Sequence, residues 1–194
     1  MTTRVLIAGI LGGIAMFIWT SIAHMVLPLG QAGVKEIPNE ATLLTALQTA
    51  IGQQDGFYIF PGFGLGPNPD RKAKQEAMQH LAERYANNPS GILVYHPPGR
   101  VLAIGRLMGA EFVKELVEAI LAVFLLALAR LAGFGARFGF VLILGIIVAI
   151  ATNVSYWNWY GFPGIYTAAY IFTQVVGFAC VGFIAALLLR KTDG

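Results

Sequence analysis

Cysteine occurs once in this chain of 194 residues, at Cys180, and Asp, Glu, Lys and Arg together make up only 12%. A lone thiol excludes an internal disulfide and a dithiol redox centre. A soluble domain carries about twice that share of charge, so most of this mass belongs in lipid rather than around an aqueous core. Reaction signatures are also missing. There is no Gly-x-Ser-x-Gly elbow, no Gly-Lys-Ser/Thr phosphate loop and no complete dinucleotide fingerprint. The three histidines do not fall at a catalytic metal-ligand spacing.

What the chain has instead is long apolar runs. Val5–Leu27, Phe112–Leu131, Phe138–Tyr156 and Ile165–Leu189 each approach the roughly twenty residues needed to cross a hydrocarbon layer. The expected fold class is an α-helical membrane protein: a four-transmembrane-helix bundle with a small α/β extracytoplasmic cap between helices 1 and 2. The expected divisions are residues 1–27 for the first span, 28–103 for the cap and 104–194 for spans two to four.

The net charge of +3 does not point to nucleic acid, because its distribution is wrong for that. The middle segment balances Lys35, Arg71, Lys72, Lys74, Arg84 and Arg100 against Glu36, Glu40, Asp55, Asp70, Glu76 and Glu83. Arg4, Arg130, Arg137, Arg190 and Lys191 sit instead at the borders of the apolar runs, where basic residues set orientation. With the N-terminus in the cytoplasm every short loop agrees. Arg130 and Arg137 then share a short inner loop, the outer loop near Trp157–Gly164 is uncharged, and Tyr156, Trp157, Trp159, Tyr160 and Phe162 lie at the outer headgroup level. The rival reading of the first run is a cleaved signal peptide, from Arg4, an apolar core and the Ser21/Ala23 pair. The core is long for a signal.

The middle segment has turn and cap chemistry of its own. Asn39 predicts the start of a short helix to about Ala50, and Asp70 a second helix to about Asn87. Gly56–Pro61 and Gly91–His96 read as strands. The loop Gly62-Phe-Gly-Leu-Gly-Pro67 is explained by a turn into the Asp70 helix rather than by a phosphate, since its prolines remove backbone donors.

Ser21-x-x-His24-Met-Val-Leu-Pro-Leu-Gly30, Gly56-Phe-Tyr-Ile-Phe-Pro61, Leu93-Val-Tyr-His-Pro-Pro-Gly99 and Tyr156-Trp-Asn-Trp-Tyr-Gly-Phe-Pro163 are the runs on which the chain resembles a group of uncharacterised bacterial four-helix inner-membrane proteins. The resemblance spans nearly the whole chain and implies a multi-pass protein of the bacterial inner membrane. It implies no activity, so no functional residue is carried over from it.

Glu111, Glu115 and Glu118 stand at i, i+4 and i+7, which places three carboxylates within about 60° on one helix face. With Arg130 at the inner boundary, Glu111 lies near the outer interface and Glu118 two turns deeper. An ionised carboxylate there costs at least a few kcal/mol unless paired or hydrated. Lys114 offsets one charge, whereas Arg106, five residues from Glu111, meets it only loosely. His24, Asn153, Ser155, Tyr166, Thr167, Tyr170, Thr173 and Gln174 fall at the same outer level, while the inner half is aliphatic. The candidate polar cluster is therefore His24, Glu111, Lys114, Glu115, Glu118, Asn153, Tyr170 and Gln174. A solvated, amphipathic lead-in to the helix is the bland alternative. A metal on His24, Glu111 and Glu115 falls short of the usual ligand sets. His80, between Glu76 and Arg84, reads as a surface residue, and His96 as a turn residue.

Gly9-x-x-x-Gly13 shares a face with Thr20 and His24 and lets another helix approach closely, either within the chain's own bundle or from a second copy. No cofactor is expected. The expected partners are the lipid bilayer, a small ligand, and a partner membrane subunit or a homo-oligomer, with no nucleic acid. The function expected is non-enzymatic binding through the cap and the outer-leaflet polar cluster. The alternative is a small oligomeric transporter or proton-coupled carrier that uses the Glu face.

Overall fold

A computed structural model describes residues 2–66 and 68–189. Arg190 and Lys191, expected at an inner boundary, lie outside the described residues. The chain divides into two compact units, one built from residues up to Lys35 together with those from Leu102 onward, the other from Glu36–Val101.

The larger unit holds four long helices: α1 (Thr3–Met25), α4 (Ile104–Ala129), α5 (Phe134–Tyr160) and α6 (Gly164–Leu188). Three of them, α1, α5 and α6, are long and apolar enough to cross a membrane. α4 has the length, but Arg106, Glu111, Lys114, Glu115 and Glu118 crowd its first half and leave too short an apolar remainder. The helices alternate in direction. Gly9 and Gly13 of α1 meet Ile120 and Leu116 of α4, and Gly12 of α1 meets Val181 of α6. Gly182 and Gly145 carry the same alternation to α6 and α5, against Phe138 and Phe178. The core runs through Ala8, Met16, Ala119, Val123, Val141, Phe178 and Val181, drawn from all four helices. α1 lies between α4 and α6, and α6 lies between α1 and α5; α4 and α5 touch little.

Glycine decides how close these helices come. A methyl group at Gly13 would stand 2.8 Å from the Leu116 Cα, and at Gly9 2.9 Å from the Ile120 Cα. Both contacts are with backbone, which cannot rotate aside, so the Gly9–Gly13 face is filled by α4 of the same chain. Large aliphatic side chains such as Leu6, Leu11 and Ile18 on α1, and Ile143, Ile147 and Ile150 on α5, point outward. Water would penalise that arrangement and lipid would not.

Local chemistry ends each helix. Arg130 and Gly161 take left-handed backbone after α4 and α5. Arg137, read from sequence as a loop residue, lies in the first turn of α5. It is buried, and its Nε donates to the Leu131 carbonyl at 3.0 Å, which closes the α4–α5 turn. α5 also runs on to Tyr160, so Trp157 and Trp159 belong to its last turns rather than to a loop.

The smaller unit holds α2 (Glu40–Ile51), β1 (Gly56–Phe60), α3 (Arg71–Asn87) and β2 (Gly91–Tyr95). β1 and β2 pair antiparallel, with Gly56 opposite Tyr95 and Phe60 opposite Gly91. Tyr95 is buried, and its hydroxyl donates to the Gly52 carbonyl at 2.9 Å. The Asp70 carboxylate accepts from the Ala73 amide at 2.7 Å and starts α3. Asn39 precedes α2 without a side-chain cap bond. His80 is solvent-exposed, 3.8 Å from Glu83.

Candidate functional site

A cavity of about 200 Å³ opens where the C-terminal part of α1, the N-terminal half of α4, the last turns of α5 and the first turns of α6 come together. Its wall takes His24 from α1, Glu111, Lys114 and Glu115 from α4, Asn153 from α5, and Tyr170 and Gln174 from α6. Seven of the eight residues of the sequence-derived cluster thus share one space. Glu118 does not line it; its side chain is half-buried on the same face of α4, one turn nearer the Ala129 end. Ser155 does not line it either, and is exposed.

Glu115 is the centre of this arrangement. It is 1% exposed and is the largest of the fully buried side chains. Among the described residues its Oε2 has no hydrogen-bond partner, and neither does Oε2 of Glu118. Lys114 pairs with Glu111 and stands 4.0 Å from Oε1 of Glu115. Thr20 is a hydrogen-bonding neighbour of the Glu115 carboxyl group. A buried acceptor left unmatched costs about 1–3 kcal/mol, and more when charged. Helices that close around such a group, without matching it, hold a feature the fold alone does not require.

The other polar groups of the wall are largely turned away from Glu115. Thr152 and Thr173 donate their hydroxyls back to the carbonyls of Val148 and Ala169, four residues earlier on their own helices, at 2.6 and 2.9 Å. This is the usual use of Thr in an apolar helix. His24 Nδ1 donates to the Thr20 carbonyl at 2.9 Å, so in the neutral ring Nε2 carries the lone pair. Asn153 Nδ2 donates both to the Ala149 carbonyl and to Oε1 of Gln174, at 2.9 and 3.2 Å. Trp19 Nε1 donates to the Thr173 carbonyl at 2.8 Å and ties α1 to α6 beside the cavity.

Aromatic rings edge the opening. Tyr170 meets His24 edge-on at 5.6 Å and stacks on Tyr166 at 4.3 Å. Tyr166 in turn contacts Phe162, which contacts Tyr156. A second space of about 520 Å³ adjoins the first and shares Thr20, His24, Glu111 and Tyr170 with it. Its remaining wall is mainly apolar: Phe17, Ser21, Met25, Ile104 and Met108.

Met16 and Thr152 line the polar cavity without having been singled out from sequence. Met16 was legible in principle, since Met16, Thr20 and His24 repeat at i+4 on one face. Among the described residues no group of three or more His, Cys, Asp or Glu side chains is placed to hold a metal ion. Cys180 is half-buried on α6 and does not line the cavity. Comparison with known proteins finds no family model, no curated protein and no solved structure that matches the chain.

Proposed function

We propose that this is a non-enzymatic, multi-pass protein of the bacterial inner (cytoplasmic) membrane that binds a small ligand between its helices. The single observation that carries the proposal is the fully buried Glu115 carboxylate, with one oxygen unmatched, at the wall of a cavity bounded by four helices. α4 serves as the fourth span, its charged first half shielded by α1 and by the cavity. Residues 36–101 form an extracytoplasmic cap, and both ends of the chain are cytoplasmic, because Arg4, Arg130 and Arg137 then stand on the inner side. Impermeant maleimide labelling checks this orientation in a Cys180→Ala background. Ser90→Cys is expected to react from outside in intact cells; protection there, with reaction at Ala132→Cys, inverts the topology.

Native mass spectrometry of protein extracted gently from its own membrane tests the binding reading. A small molecule retained by wild type and lost in Glu115→Gln supports it. A stoichiometric second membrane subunit with no small molecule redirects the function to an accessory role in a larger assembly.

A carrier reading rests on a different atom, the buried and unmatched Oε2 of Glu118, one turn along from Glu115. Together the two acids would offer a proton successive stations within an oligomer of this chain. Glu118→Gln should then abolish pH-driven flux in proteoliposomes; wild-type vesicles that show no flux remove this reading.

A further inference from the structure

We infer that a second site, separate from the Glu115 cavity, binds an anionic phosphate group where α4 turns into α5, through the guanidiniums of Arg130 and Arg137. A cavity of about 310 Å³ opens there, lined by Leu126, Ala127, Arg130, Leu131, Arg137 and Leu189.

Arg137 supplies the fixed part. It is only 8% exposed, and its Nε is tied to the Leu131 carbonyl at 3.0 Å. That bond uses a single N–H of a group that carries five. The others, on Nη1 and Nη2, have no partner among the described residues, yet neither nitrogen is sealed off in the way that Glu115 Oε2 is. A mostly buried cation with open donors is costly unless an anion completes it. Closing the α4–α5 turn needs one donor, which a neutral side chain could provide. The charge and the remaining donors are left for something else.

Arg130 supplies the second charge. It ends α4 in left-handed backbone and is exposed. Its guanidinium makes no hydrogen bond or ion pair among the described residues. No carboxylate lines the cavity, so two like charges face one space without an offset, and an anion turns that repulsion into attraction. α5 adds to the field. Arg137 stands in its first turn, which holds no acid, and no side chain caps the helix at Gly133. The unmatched amides make that end of the helix positive.

The kind of anion follows from the donors. A guanidinium fork matches the paired oxygens of a carboxylate or a phosphate. Two forks on one group call for more oxygens than a carboxylate has. The rest of the wall, Leu126, Ala127, Leu131 and Leu189, is aliphatic. Basic pockets between membrane helices take up the head groups of anionic lipids. The volume is at the lower end of small-molecule sites, which suits a head group whose chains stay in the bilayer. Free phosphate would satisfy the same donors.

The test uses full-length protein and native mass spectrometry in two arms. One arm uses nanodiscs of phosphatidylcholine mixed with phosphatidylglycerol; the other uses phosphatidylcholine nanodiscs titrated with inorganic phosphate. Arg130→Asn removes one charge while tolerating left-handed backbone, and it should weaken retention roughly ten-fold, as the loss of a charge-assisted bond does. Arg137→Gln should do the same; if it fails to melt with the wild type, Arg130→Asn carries the test alone. Arg4→Gln, which removes an exposed charge from the same end of the bundle outside the cavity, should change nothing. Phosphatidylglycerol retained over phosphatidylcholine with this pattern supports the site with a lipid as the source. Inorganic phosphate retained with the same pattern, and no preference among lipids, supports it with a free anion. Retention that Arg130→Asn leaves intact, or that Arg4→Gln weakens equally, reduces the binding to diffuse surface charge and overturns the site. Retention of neither anion overturns it outright.

Discussion

Asn153 on α5 donates its side-chain amide to Oε1 of Gln174 on α6 across 3.2 Å, at the wall of the cavity that holds Glu115. The same Asn153 nitrogen also donates to Ala149, one turn back. The pair therefore joins two helices and keeps two amides ordered in an apolar setting. Such interhelical bonds contribute about 0.6 kcal/mol on average in membranes, with a ceiling near 1.7. Asn153→Leu, Gln174→Leu and the double variant should give a coupling energy in that range by unfolding titration in bicelles. Additive losses would show that the bond adds nothing.

Glu115 is expected to weaken the fold that holds it. Leaving a buried acceptor unmatched costs about 1–3 kcal/mol, and a glutamine side chain in its place offers donors as well as an acceptor. Ligand-free Glu115→Gln should therefore melt at or above the wild type. That outcome marks a group retained for function at the expense of stability. A clear drop in melting temperature would instead make the carboxylate part of the structure.

Gly13 sets the distance between α1 and α4, because any Cβ there meets the Leu116 Cα at 2.8 Å. Gly13→Leu should cost about 1–3 kcal/mol or more by overpacking. Gly109→Leu, on α4 where a Cβ meets nothing within 4 Å, should stay within about 0.5 kcal/mol. Circular-dichroism melts in detergent compare the two. Equal melting points would mean that α1 and α4 are not held in backbone contact.

Asp70 caps α3 through the Ala73 amide. Asp70→Ala should cost about 1 kcal/mol, which corresponds to roughly five-fold faster amide exchange in the first turn of α3. Hydrogen-exchange mass spectrometry of residues 71–87 reads this directly, with α5 as an internal standard that should not change. Unaltered exchange in α3 would show that the cap bond does not hold the helix.

Local chemistry along the chain was enough to place the elements. Asp70 announces α3, Gly56–Phe60 and Gly91–Tyr95 have the composition of strands, and uninterrupted apolar runs mark α1, α5 and α6. It was also enough to put Glu111, Glu115 and Glu118 on one face, because a helix fixes azimuth by spacing alone. Their different fates were not legible. Glu115 is sealed at the cavity wall while Glu118 lies off it, since burial depends on what the neighbouring helix presents at each height. Gly13 brings the α1 backbone against Leu116, the residue that follows Glu115 on α4. The same holds for the Gly9–Gly13 face, whose partner could have been any helix. Tertiary packing assigned it to α4, kept α4 and α5 nearly out of contact, and so left the space in which Asn153, Gln174 and Glu115 meet.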